Sequence, residues 1–185
     1  MSDHAALTLV TGNPGKLAEW QKLLPANLKI VSQAIDLVEI QSLDSEEIVT
    51  DKAKRAYDII KGPVLVEDVS TGLDNLGDLP GPFMKYFEQK LGSEALYRLA
   101  GEEGEPVTIT CTIGYYDGHA MSFAHGTITG TVVAPRGKNG FGFDPVVIPA
   151  GETRTFAEMT LAEKNQHSHR ALAIKAMTEK LALNP

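Results

Sequence analysis

The chain has 185 residues, 43% hydrophobic and 22% charged, with a formal net charge of −7; that size suits one domain with a sizeable core. The acidic balance argues against a broad nucleic-acid-binding face, which needs clustered positive charge. With no apolar run long enough to span a bilayer, and no basic region followed by an apolar stretch in Met1 to Ala6, neither a membrane segment nor a signal peptide is expected.

Leu7 to Thr11 is short, apolar and β-prone, which predicts a buried strand. Asn13 can cap a following helix, with Pro14 at its first position and Leu17, Trp20, Leu23 and Leu24 at helical spacing. Leu28 to Ser32 predicts a second strand. Asp44 to Ile60 predicts a long helix with Ser45 as cap and Ile48, Ala53, Ala56, Ile59 and Ile60 as its apolar stripe, ended by Gly62-Pro63. Pro63 to Val69 predicts a third strand, apolar at its start and acidic at its end. Pro80-Gly81-Pro82 marks a turn, followed by helices over Phe83 to Leu91 and Ser93 to Ala100, the latter capped by Ser93. Val107 to Tyr116 and Ala120 to Val133 alternate about an Asp117-Gly118 turn, as a hairpin does. Phe156 to Asn165 is irregular or briefly helical. Ser168 to Leu181 is a final helix, with Leu172, Lys175 and Met177 marking its turns. Strand–helix alternation followed by a hairpin implies an α/β fold with a mixed sheet.

Several segments carry chemistry. Thr11 to Lys16 sits where a strand hands over to a helix; free backbone amides and the helix dipole there favour an anion, and Lys16 adds a point charge. The spacing is not that of a Walker A loop. Glu67-Asp68 closes a buried strand, where acids are costly unless they meet a cation or donors; alternation lets only one of the pair face a given site. A solvated strand end is the plainer alternative. Phe141-Gly142-Phe143-Asp144 follows a glycine-rich loop and offers either a stacking face for a base or a tight turn with core aromatics. Lys164, His169 and Arg170 gather around the start of the last helix. His167 and His169 without further ligands make a poor metal pair. Cys111, the single cysteine, excludes an intrachain disulfide and fits a reducing, cytoplasmic setting.

Six stretches occur in a shared order: TGNPGK at 11–16, IDLVEIQ at 35–41, GPVLVEDVSTGLDNLGDLPGPFMKYF at 62–87, VVAPRG at 132–137, FGFDPV at 141–146 and FAEMTLAEKNQHSHR at 156–170. Together they span nearly the whole chain and resemble the inosine triphosphate pyrophosphatase, or Ham1-like, family. The resemblance implies one domain over 1–185, with an elongated mixed sheet flanked by helices, two lobes, a substrate cleft between them and a homodimer. It places Thr11, Asn13 and Lys16 in a phosphate loop, and Lys52 and Lys85 beside the phosphates. Glu39 and Asp68 fall on the magnesium-holding acids, Asp68 also on the catalytic base. Phe141, Gly142, Phe143, Asp144, Lys164, His169 and Arg170 match base-recognition elements. Two departures, Glu67-Asp68-Val69-Ser70 where the bacterial pattern has two aspartates then Ser-Gly, and Pro14 in the phosphate loop, touch no required charge.

The activity so implied is Mg²⁺-dependent cleavage of ITP, dITP or XTP to the monophosphate and pyrophosphate, without a nucleic-acid or membrane partner. Arg170 donates only, which favours a 6-oxo purine over adenine; bracing the helix end or pairing with an acid is its alternative role. Rival readings are a pyrimidine triphosphate pyrophosphatase, a silent nucleotide-binding module and a P-loop kinase or GTPase.

Overall fold

The computed structural model describes residues 7–25 and 30–181. Strand β1 (Leu7–Val10) is buried throughout. Asn13 caps α1 (Pro14–Leu23): its Oδ1 accepts from the Gly15 and Lys16 amides at 2.9 and 3.1 Å. Strand β2 is Ile30–Gln33; Leu28 and Lys29, expected in it, lie outside the described residues. Helix α2 (Ser45–Ile60) is capped by Asp44, not by Ser45, because the Asp44 carboxylate accepts from the Glu46 amide at 2.8 Å. Its buried arc, Ile48, Val49, Ala53 and Ala56, centres on Val49 and Ala56. Ile59 falls at the margin of that arc in the final turn and is 56% exposed, against expectation.

Strand β3 (Val64–Leu73) runs four residues past its expected end, and a short β4 (Pro80–Gly81) pairs back onto it. Helices α3 (Met84–Leu91) and α4 (Ala95–Ala100) follow. Ser93 does not cap α4, which begins later and without a side-chain cap. Strands β5 (Pro106–Tyr116) and β6 (Met121–Val132) form the expected hairpin, its turn held by Asp117 Oδ1 accepting from the His119 and Ala120 amides. After β7 (Val147–Pro149) come α5 (Leu161–His167) and α6 (His169–Lys180). Ser168 caps α6 through the Ala171 amide. Ala173, Ile174 and Met177 anchor that helix, whereas Leu172, which marks one of its turns in the sequence, is 46% exposed.

The sheet is mixed and seven-stranded. β2, β1 and β3 run parallel; β5, β6 and β7 extend it antiparallel. On β3, Val64 and Val66 pack against α2 through Val49, Ala53 and Ala56. Leu65 points to the opposite face, toward Trp20 of α1 and Ile174 and Met177 of α6. A third apolar cluster gathers Met84, Leu96, Val107, Val146 and Phe156. Alternation carries past Val66, so Glu67 faces α1 and α6 while Asp68 faces α2. Gly126 on β6 lets α6 start flush against the sheet: a Cβ there would fall 2.0 Å from the His169 carbonyl oxygen. That close approach sets the position of His169 and Arg170.

Candidate active site

The ends of β1 and β3, the starts of α1 and α6, helix α3 and the Phe141–Asp144 loop enclose a cavity of about 650 Å³, the size of a small-molecule site. It gathers every site residue expected from the sequence: Thr11, Asn13, Lys16, Glu39, Lys52, Asp68 and Lys85, together with Phe141, Gly142, Phe143, Asp144, Lys164, His169 and Arg170.

At the first strand–helix junction, the expectation of free amides is met only by Gly12, whose N–H has no partner among the described residues. The Gly15 and Lys16 amides bond the Asn13 side chain, the Asn13 amide bonds Thr11 Oγ1 at 3.2 Å, and Pro14 has no N–H to offer. Beyond the Gly12 amide, what this turn presents to an anion is the helix dipole and the Lys16 ammonium. Lys16 Nζ lies 2.9 Å from Glu67 Oε1.

Three lysines and two acids share one side of the cavity. Lys52 Nζ reaches Glu39 Oε1 at 2.7 Å and the Glu67 carbonyl at 3.1 Å. Lys85 pairs with the other Glu39 oxygen. Glu39 thus bridges two ammonium groups. Burial, with Lys16 nearby, pushes Lys52 down to about 8 against the attraction of Asp68 and Glu67. Asp68 accepts from Ser45 Oγ at 2.8 Å; burial lifts its carboxyl above the usual range, and Ser45 and Lys52 offset only part of this. In the sequence Ser45 reads only as a helix cap. With Asp44 capping, its hydroxyl is free to meet Asp68.

On the other face of β3 lies a buried charge network. Burial alone would raise the Glu67 carboxyl; the Arg170 guanidinium and Lys16 outweigh it and hold Glu67 well below the ordinary range. Arg170 grips both Glu67 oxygens at 3.0–3.2 Å, and Trp20 Nε1 donates to Oε2 at 2.8 Å. Arg170 also pairs with Glu19. Lys164, equally buried, joins Glu19 at 2.7 Å to Asp144 at 2.6 Å, and Asp144 accepts from the Phe141 amide at 2.8 Å. Glu19 has no signal in the sequence; three residues beyond Lys16 on α1, it ties both Lys164 and Arg170 in place.

Arg170 therefore pairs with acids, yet it still lines the cavity. A guanidinium has five N–H donors; Nε, Nη1 and Nη2 each spend one on Glu67 or Glu19, which leaves one N–H on each terminal nitrogen. The Phe141 ring lies 5.7 Å from the Arg170 Cζ and 4.7 Å from the Lys164 ammonium. The same ring packs over Gly15, where a Cβ would fall 2.3 Å from Phe141 Cδ1. Phe143 is core rather than exposed platform, with its ring 5.9 Å from His169. Burial, then the charges of Arg170 and Lys164, hold His169 neutral. Cys111 is buried on β5 opposite Val69, its thiol pushed up by burial and then by the nearby Glu67 charge.

Comparison with known proteins agrees with this geometry. The sequence model of the Ham1 family matches residues 7–180. The inosine triphosphate pyrophosphatase of Phaeosphaeria nodorum is 41% identical over 181 residues, 96% of this chain and 95% of its own length. That of Schizosaccharomyces pombe is 40% identical over 171 residues, 91% of this chain and 90% of its own. Among solved structures, a Ham1 protein from Coxiella burnetii superposes with a TM-score of 0.83 at 28% identity, covering 97% of this chain and 99% of that one. With five of its six motifs lining one cavity and its family matched over nearly its whole length, the chain belongs to the Ham1 family.

Proposed function

We propose that this protein hydrolyses non-standard purine nucleoside triphosphates, such as ITP, dITP and XTP, to the monophosphate and pyrophosphate. The observation that carries the reading is the polarity of the cavity. Lys52 and Lys85 meet at Glu39 with Asp68 beside Lys52, Phe141 lies against Lys164 and Arg170, and Lys16 stands between the two groups on the Glu67 carboxylate that Arg170 also holds. The names of the relatives, inosine triphosphate pyrophosphatases matched over nearly their full length, support it.

A triphosphate carries about four negative charges, which the three lysines meet through short, partly desolvated contacts. Water attack on the α-phosphorus makes pyrophosphate the leaving group. Asp68 orients that water and takes its proton; a carboxyl lifted by burial is a better base than an ordinary aspartate. The rest is placement and charge stabilisation. Magnesium is the proposed cofactor. Glu39 and Asp68 give hard carboxylate oxygens on one cavity wall, and the described residues hold no cluster of three or more His, Cys, Asp or Glu side chains. Few protein ligands completed by substrate phosphates suit a small hard cation. Bound there, the ion would neutralise phosphate charge. The uncommitted Arg170 N–H groups suit the O6 acceptor of hypoxanthine or xanthine and oppose the adenine amino group.

The same reading takes the chain as one domain of two lobes, homodimeric and cytoplasmic, which fits its lone reduced thiol and is checked by size-exclusion chromatography and fractionation. The deciding assay is pyrophosphate release from ITP, dITP, XTP, GTP, ATP and dTTP with Mg²⁺ present. Preference for ITP, dITP and XTP is expected. Equal cleavage of ATP or dTTP, or release from none, overturns the reading.

A further inference from the structure

Glu88 lies on α3, one turn beyond Lys85, and lines the cavity against the Phe141–Asp144 loop. Its carboxylate rests on Gly142: a Cβ built there would fall 2.9 Å from Glu88 Oε1. Four of the other acids of the wall have partners, and a fifth, Asp36, is exposed to water. Glu67 meets Arg170 and Lys16, Asp68 meets Ser45, Asp144 meets Lys164, and Glu39 meets Lys52 and Lys85. Glu88 differs. Its Oε1 is sealed from solvent without a hydrogen-bond partner, and no ion pair reaches it among the described residues. Burial and the charge of Asp144 raise this carboxyl, against weaker opposition from Lys16 and the Phe143 amide. A buried acceptor without a donor is unfavourable, and native structures retain one where function calls for it.

We infer that Glu88 is a nucleotide-binding residue whose carboxylate accepts a hydrogen bond from an N–H or O–H donor of the nucleoside part of the ligand. The inference rests on the proposed reading that this cavity takes a purine nucleotide. Phosphates offer acceptors and negative charge, so a carboxylate has nothing to gain from them. The donors of an inosine nucleotide are the base N1–H and the sugar hydroxyls, and both can meet an acceptor on the loop side of the cavity. Glu88 would make the site choose for a donor, whereas Arg170 makes it choose for an acceptor.

The test is calorimetric binding of inosine monophosphate, without Mg²⁺, to wild type, Glu88→Gln and Glu88→Leu. Glu88→Leu should weaken binding about tenfold or more, and Glu88→Gln, which keeps an acceptor oxygen, should stay within about threefold. Melting temperatures should not fall in either variant, because Oε1 has no partner in the free protein to lose. The 2′,3′-dideoxy nucleotide separates the two donors: a Leu penalty that disappears with it places the donor on the sugar, and one that persists places it on the base. Unchanged affinity in Glu88→Leu, or equal loss in both variants, overturns the inference. Wild type that binds inosine monophosphate yet releases no pyrophosphate from ITP removes the hydrolase reading and leaves Glu88 standing on its own binding data. Wild type that binds no purine nucleotide removes both.

Discussion

Arg170→Ala deletes a cation shared by two buried carboxylates. Glu67 and Glu19 are 3% and 1% exposed, so neither can be rescued by water. Breaking a buried ion pair by removing one partner costs about 3–5 kcal/mol. Partial compensation remains here: Glu67 keeps Lys16 at 2.9 Å and the Trp20 N–H at 2.8 Å, and Glu19 keeps Lys164 at 2.7 Å. The loss should therefore sit at the lower end, about 3 kcal/mol. At about 2–4 °C per kcal/mol for a chain of this size, Tm should drop by about 6–12 °C. The pH dependence carries a sign. Glu67 is held low in the folded protein, so its stabilisation is fully present above the ordinary Glu pKa near about 4.3 and lost as pH falls through the depressed folded value. Without Arg170, burial becomes the stronger influence and the carboxyl protonates as pH falls from neutral. The gap between wild type and variant should be widest near pH 7 and shrink by about pH 4.5. Urea unfolding at both pH values measures it. A loss under about 1 kcal/mol at pH 7, or a gap unchanged in acid, would refute the account of the network.

Asp68→Asn should lower turnover by about 10²–10⁴-fold while Tm at pH 7 holds or rises, since burial disfavours the charge it removes; near wild-type turnover sinks the base assignment. Lys52, pushed down to about 8, loses its charge as pH rises through that value. The KM for ITP should climb there, and Lys52→Arg should flatten the climb; a KM constant from about pH 7 to 9.5 counts against a phosphate role. Gly15→Ala drives a Cβ to 2.3 Å from the Phe141 ring and should raise KM on every purine. In a Phe141→Ala background the same change should add little, and full additivity contradicts the contact. Below its melting range, Arg170→Ala should shrink the ITP-to-ATP ratio of kcat/KM about tenfold, roughly 1.4 kcal/mol; an unchanged ratio leaves Arg170 as a brace alone.

Local signals in the sequence determined much of this protein. Asn13-Pro14 opening a helix, the Asp117-Gly118 hairpin and the Ser168 cap were all legible, because each is a contact between residues a few positions apart. The motif order placed the cavity residues before any geometry was known. Strand alternation set Glu67 and Asp68 on opposite faces of β3, yet both line the one cavity, against the expectation that only one of them would face it. What the sequence left open was pairing across distance. Ser45 and Asp44 compete for one cap, and only the folded helix shows that Asp44 takes it and frees Ser45 for Asp68. Glu19 and Arg170 stand 151 positions apart, and the Arg170 bond to Glu67 spans 103. Neither periodicity nor spacing reports such a partner. Glu88 is invisible for the same reason, since its meaning is the lack of a partner at Gly142, a fact about space. Propensity and capping are set by neighbours along the chain. The charge state and purpose of a buried acid are set by whatever the sheet brings against it, so the tertiary structure alone decided which acids were answered and which were left waiting for a ligand.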